Sequence, residues 1–301
     1  MSAAQYAILD ARGLLRAAGP DVRSFLQGMV SNDVTKIGPE RAVWSAFLTP
    51  QGKFLHEFFM TEEAGPGAVS LLLDCEAARL DDLRGRLARY RLRAKIELTD
   101  VSADYAVAAI FGDGALAALG EALGPPAGLG AATPFGGGIA YVDPRLAGLG
   151  ARAVLPRAGA RAALEGAGIV AATPADYDAL RIGLGVPDGS RDLEVERSPL
   201  LENGFDELHG IDWDKGCFMG QELTARTKYR ALIKKRLLPV AIEGPAPEPG
   251  TQVTAAGKDA GVLRSSVDGV GLALLRLEHL DAPLRAGEAR LTAKKPDWVD
   301  I

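Results

Sequence analysis

Near Lys235 the chain changes texture, and this break restricts the fold more than any other feature. Before it, helical and strand periods alternate. After it only short strands recur, at Leu237–Ile242, Thr251–Ala255, Gly261–Leu263 and Val270–Leu275, with another near Arg290. Prolines 245, 247 and 249 separate the first two. Short strands at this spacing predict a small barrel or sandwich, so a domain boundary is placed near Lys235. At roughly 150 residues per domain, 301 residues suggest about two domains.

Ahead of the boundary, Asp21–Met29 reads as a helix with Val22, Phe25, Leu26 and Met29 on one face. Arg41–Thr49 and Lys53–Met60 read as strands joined by the turn Pro50-Gln51-Gly52. A strand at Val69–Leu73 precedes a helix over Glu76–Tyr90, whose stripe is Leu80, Leu83, Leu87 and Tyr90. Strands are expected at Lys95–Thr99 and Tyr105–Phe111. A short helix over Ala115–Leu123 is stopped by Gly124-Pro125-Pro126. Residues Gly124–Gly150 hold eight glycines and four prolines, so loops are expected there, with a short strand at Ile139–Val142. Thr173-Pro174-Ala175-Asp176 has the form of a capping box opening a helix.

Charge and thiols narrow the function classes. The net charge of -5 argues against a protein that coats nucleic acid over its whole surface. Cys75 and Cys217 are the only cysteines, too few for a four-thiolate cluster or zinc site from one chain. No metal site is expected. Low cysteine usage fits a reducing compartment, and the expected location is the cytoplasm. No run approaches 18 apolar residues, so no membrane span is expected. No complete dinucleotide or Walker loop is present: Gly183-Leu184-Gly185 lacks the third glycine, and Gly257-Lys258 is followed by Asp259 where Ser or Thr belongs.

One stretch stands apart. Val186–Asp214 carries nine acids and two bases, a balance of -7, whereas Lys215–Arg236 carries seven bases and one acid, a balance of +6. The plain explanation is a pair of solvated faces of opposite sign. At the junction, Lys215 stands two residues before Cys217, and Gln221–Tyr229 looks helical. A nearby ammonium and a helix N-terminus both favour thiolate. Cys217 is therefore read as a nucleophile, a redox-sensitive thiol or a single metal ligand, against the alternative of a small buried hydrophobe. Cys75, ending an apolar run, is expected to be buried. The basic run Arg79–Lys95, with seven bases and two acids, would face an anionic ligand or simply solvent.

Lys215-Gly216-Cys217-Phe218-Met219-Gly220-Gln221-Glu222 resembles the K-G-C-[FY]-x-G-Q-E motif of the YgfZ family, folate-binding proteins related to the glycine-cleavage aminomethyltransferases. Further segments are similar to that family in the same order: Phe25-Leu26-Gln27-Gly28 with Ser31-Asn32-Asp33, Leu48–Lys53, Tyr90–Lys95 and Arg181–Pro187. The resemblance implies an α+β fold of three subdomains in a ring around a central folate-binding hole. Residues 1–235 would form two interlocked α/β units and 236–301 a small β-barrel.

It implies tetrahydrofolate, or a one-carbon derivative, as cofactor, and iron–sulfur client or assembly proteins as partners. The implied role is the assembly or repair of clusters in client enzymes, including some that modify tRNA. No membrane or direct nucleic-acid partner is expected. Cys217 and Lys215 would carry the chemistry. Folate contacts are assigned to Asn32, Asp33, Lys53, Arg91, Arg93, Lys95, Arg181, Gly216, Gly220, Gln221 and Glu222, with Trp44, Phe205 or Phe218 as the flat wall. The alternative is a folate-dependent aminomethyltransferase. Gly183, standing where that branch commonly has a carboxylate, speaks against it.

Overall fold

The computed structural model describes residues 3–63, 65, 69–120, 123, 128–230 and 233–300. The chain divides into two compact units. The first holds Met1–Phe47, His56–Tyr177 and His209–Met219; the second holds Leu48–Leu55, Asp178–Leu208 and Gly220–Ile301.

The first unit contains two sheets. One runs Val170–Ala171 (β11), Gln5–Ile8 (β1), Tyr105–Phe111 (β7), Ala151–Pro156 (β10), Gly138–Val142 (β9) and Ala132–Phe135 (β8). The other runs Val43–Leu48 (β3), Phe54–Glu62 (β4), Ser70–Glu76 (β5), Arg12–Ala18 (β2) and Glu97–Asp100 (β6). Strand β3 is buried along its whole length and β4 as far as Thr61, so both faces are covered, and neither strand shows a polar alternation.

Two helices bear on the site and its surroundings. Val22–Met29 (α1) buries Val22, Leu26 and Met29, much as its period predicts. Leu80–Tyr90 (α2) buries Leu80, Leu83 and Leu87; the expected start at Glu76 is replaced by a 3₁₀ turn over Ala77–Arg79. Tyr90, assigned to the buried stripe, is exposed and meets Phe47 edge-on. The short helix expected over Ala115–Leu123 is one turn, Ala115–Ala118 (α3). Its stop at Gly124-Pro125-Pro126 lies outside the described residues. The glycine-rich segment holds the strand pair β8–β9 rather than one strand. Ala160–Gly166 (α4) completes the unit.

An ion network lies between the two sheets. Arg12 of β2 reaches Glu57 at 2.6 Å and Asp74 at 2.7 Å, while Arg152 of β10 reaches the other Asp74 oxygen at 2.7 Å. Arg145 pairs with Asp143 at 2.8 Å, and the Arg145 and Arg152 guanidiniums lie over the Phe59 ring at 4.8 and 4.0 Å. Burial opposes these charges, but the adjacent aspartates outweigh it and hold both arginines above the usual value.

Pro174–Gly183 (α5) opens on the expected capping box: the Thr173 backbone N–H donates to Asp176 at 2.8 Å, and the Asp176 N–H donates to the Thr173 hydroxyl at 3.2 Å. Gly189–Asp192 (α6) and Gln221–Tyr229 (α7) follow, the latter with the predicted bounds. The C-terminal strands close into a six-stranded barrel: Lys235–Glu243 (β12), Val270–Arg276 (β15), Lys258–Val267 (β14), Gln252–Ala255 (β13), Leu284–Ala286 (β16) and Ala289–Ala293 (β17), which pairs back onto β12. Leu238, Val240, Val253, Leu263, Leu275 and Leu291 fill it. The strand read at Gly261–Leu263 is ten residues long, because register shifts let it bend without ending.

Candidate functional site

Within the first unit, the turn that leaves α1 receives the segment His209–Met219. Ser31 Oγ donates to the Gly210 carbonyl at 2.6 Å, and the Asp212 N–H donates to the Ser31 carbonyl at 3.0 Å. The Met219 N–H donates to the Gly28 carbonyl at 3.1 Å. Lys215 closes this clasp. Its ammonium donates to the Gln27 and Val30 carbonyls, both at 2.6 Å, and sits 5.2 Å from the Phe218 ring centre. Those carbonyls end α1, where a cation offsets the negative end of the helix. Burial pushes the Lys215 ammonium down to about 8, with Asp33 and Asp212 opposing.

Gln27 ties the clasp together. Its amide nitrogen donates to Asp33 Oδ1 at 3.0 Å and to the Lys215 carbonyl at 3.3 Å, while its oxygen accepts the Val34 N–H at 2.8 Å. Burial alone would raise the Asp33 carboxyl, but hydrogen bonds from Thr35 and Gln27 outweigh it and hold it below the usual range. Gln27 lay inside a quoted motif, yet a glutamine within a helix carries no local sign of such a role. The motifs at Phe25–Asp33 and Lys215–Glu222 thus touch, although 188 positions separate Gln27 from Lys215.

Cys217 lies on this loop and is exposed, whereas Cys75 is buried and its thiol is pushed up to about 12 by burial. The expected sinking of Cys75 therefore holds, and the buried alternative for Cys217 does not. The Lys215 ammonium is committed to α1 carbonyls, so its visible work is to place the loop. Gly216 and Gly220 both take positive φ, +92° and +82°. Gln221 and Glu222 open α7, with Glu222 reaching Arg226 at 3.0 Å on the surface.

The assigned folate contacts differ in how far the structure already engages them. Asn32 spends both amide hydrogens inside, on the Trp44 and His209 carbonyls at 2.7 Å each. The Lys95 N–H donates to Asp21, just ahead of α1, and Arg91 Nη1 to the Ile96 carbonyl, while Asn32 and Asp33 follow the end of α1 and Lys215 caps it. Lys53 and Arg181 belong to the second unit. Arg181 is buried there, bonded through Nε and Nη1 to Asp178, Asp192 and the Val186 carbonyl, while its Nη2 is left without a hydrogen-bond partner, and Lys53 lies on a groove with Pro199, Leu201, Leu223 and Arg226. Of the candidate walls, Trp44 and Phe205 are core residues and Phe218 packs under Lys215. A polar cleft in the first unit is lined by Asn32, Lys36, Arg41, Trp44, His209 and Asp212; sequence reasoning did not single out Lys36 or Arg41.

The chain is 34% identical to the mouse mitochondrial iron–sulfur cluster assembly factor IBA57, over 96% of this chain and 84% of that protein. It is 35% identical to the human mitochondrial protein of the same name over the same shares. The chain belongs to the IBA57 family. This family, and not the related YgfZ family, is the one these relatives carry in their names. The expected cytoplasmic location is overturned, since these relatives are mitochondrial proteins by name. A family model described as the CAF17 C-terminal beta-barrel domain matches residues 234–301. The fold is that of glycine-cleavage aminomethyltransferase T: the Bartonella henselae enzyme superposes with a TM-score of 0.78 over 99% of this chain and 87% of that one, at 15% identity.

Proposed function

We propose that this chain is an iron–sulfur cluster assembly factor whose working group is the Cys217 thiol. The observation that carries this reading is an exposed cysteine on a loop clasped to α1 by Lys215 and Gln27, in a chain of the IBA57 family. A thiolate that meets a cluster must be reachable, and its approach must be fixed. The other cysteine is buried, so a cluster bound through Cys217 takes its remaining ligands from a partner protein. The cluster is cargo in this scheme. Cluster enzymes that modify tRNA are among the proposed clients, on the sequence resemblance alone.

Rescue of cluster-enzyme activity in cells lacking the protein tests the reading. Cys217→Ala is expected to lose rescue at an unchanged thermal midpoint; full rescue by this variant sinks it.

Tetrahydrofolate belongs to the proposal in a narrower form. The polar cleft of the first unit would hold its pterin edge, with Arg41 and the Lys36–Asp212 ion pair as the polar groups, because Asn32 has no amide hydrogen left to offer. Arg91, Arg93, Lys95 and Lys215 are not among the residues that line this cleft. Bound there, folate would supply a one-carbon carrier. Calorimetric titration with tetrahydrofolate, wild type beside Arg41→Ala, decides it: no heat with wild type removes folate from the scheme.

A further inference from the structure

The loop that follows α2 is held out from the first unit with a leucine at its tip. Leu92 is 89% exposed and takes φ +46°, a conformation that bulky side chains avoid. The strain is fixed in place by the loop's own bonds. The Ala94 N–H donates to the Arg91 carbonyl at 2.8 Å, Arg91 Nη1 to the Ile96 carbonyl at 3.2 Å, and the Lys95 N–H to Asp21 at 2.8 Å. Tyr90, 42% exposed, is braced on Phe47. Val69, 39% exposed, belongs to the same end: its carbonyl accepts the Gly19 N–H, and Gly19 lies against the Lys95 carbonyl.

Charge surrounds this apolar tip. Arg79, Arg84 and Arg86 reach back to Glu76, Asp81 and Asp82. Beyond Asp82 no acid occurs before Glu97, and among the described residues Arg89, Arg91, Arg93 and Lys95 make no salt bridge. All four are exposed. An apolar knob ringed by unmatched cations fits a recess rimmed by carboxylates.

We propose that the Tyr90–Lys95 tip docks an acidic protein surface, with Leu92 inserted into an apolar recess of that partner. The rigid placement of Leu92 favours a protein over a bilayer, because a fluid lipid surface does not need a side chain held at a strained angle. The proposal rests on the reading that the chain works through protein partners, but it concerns a surface distinct from Cys217.

Leu92→Asn tests it without a folding penalty, since asparagine tolerates positive φ and the side chain it replaces is almost wholly exposed. The variant is expected to melt at or above the wild-type temperature while its rescue of cluster enzymes falls about tenfold, the scale of a lost interface anchor. Arg93→Glu should fall similarly. In the same cells, a photo-cross-linking side chain at position 92 of the full chain should give a protein adduct that high salt and Arg89→Glu both remove. Wild-type rescue matched by Leu92→Asn overturns the proposal, as does the absence of a salt-sensitive adduct. Flotation of wild type, but not Leu92→Asn, with phosphatidylcholine vesicles containing phosphatidylglycerol would overturn it in favour of a lipid surface. Failure of wild type itself to rescue would count against the cluster-assembly reading instead, and the cross-link would still decide the docking claim.

Discussion

Gly216 and Gly220 flank Cys217 in the chain, and the two differ in what a methyl group would meet. A Cβ at Gly220 would lie 2.6 Å from the Thr49 carbonyl oxygen and 3.0 Å from Gly52 Cα, with φ at +82°. At Gly216 the φ is +92°, but nothing lies within 4 Å. Gly216→Ala should therefore cost only the left-handed strain, about 1 kcal/mol, and Gly220→Ala about 3 kcal/mol or more, since backbone must move. Urea denaturation of the two variants checks the order; equal losses would refute it. His56 supplies a pH test. Burial lowers it to about 4, the Arg79 charge adds to this, and Asp82, 3.0 Å away, opposes. The unfolded chain binds that proton near pH 6.5 and the folded chain only near 4. Stability should thus fall as pH drops through this window, by about 3 kcal/mol in total. His56→Gln should flatten that part of the stability–pH curve.

Among the elements, those with a strong period were legible: α1, α7 and the β3–β4 hairpin stand close to their expected bounds, and α2 ends where expected though it begins four residues late. Those defined only by their neighbours were not. β10 reads Ala-Arg-Ala-Val-Leu-Pro, which has no marked alternation, and its Arg152 gives no local sign of burial. Its partner Asp74 is 78 positions away. The charge blocks show the same limit. Glu207 pairs with Arg236 at 2.5 Å and Asp206 with Lys228 at 2.9 Å, so acids of one block are consumed by bases of the other instead of forming two open faces. Arg152 also yields a prediction for the two sheets of the first unit. Arg152→Met strands part of the Asp74 carboxylate inside the protein and should cost about 3–5 kcal/mol. Arg226→Ala, which breaks an exposed pair, should cost less than about 1 kcal/mol. Matching denaturation midpoints for the two variants would show that the network contributes nothing beyond its packing.

For the molecule as a whole, the sequence boundary near Lys235 and the division of the chain into units follow different logic. A texture change marks where helices stop, but a compact unit is marked by where buried groups find partners. The second unit joins the barrel to Asp178–Leu208. Arg236, 1% exposed, donates to the Leu201 carbonyl at 2.7 Å and pairs with Glu207. Ser265 donates to Asp192 at 2.6 Å, Arg264 reaches Glu194 at 2.8 Å, and the Trp298 indole donates to the Leu184 carbonyl at 2.8 Å. The barrel cut at residue 234 would lose every one of these partners. It would also expose the outer cluster of Leu237, Leu272 and Leu274 that packs with Ile182. Each lost burial of a large apolar side chain forfeits about 1.5–3 kcal/mol, and a domain of this size has only a few kcal/mol in reserve. A fragment spanning 234–301 is therefore expected to melt broadly, without a cooperative transition, whereas 178–301 should melt sharply. Circular dichroism melts of the two fragments decide between these views. A sharp transition for 234–301 at the temperature of the longer fragment would mean that closure of the barrel alone supplies its stability, and that the buried arginine and its partners serve alignment instead.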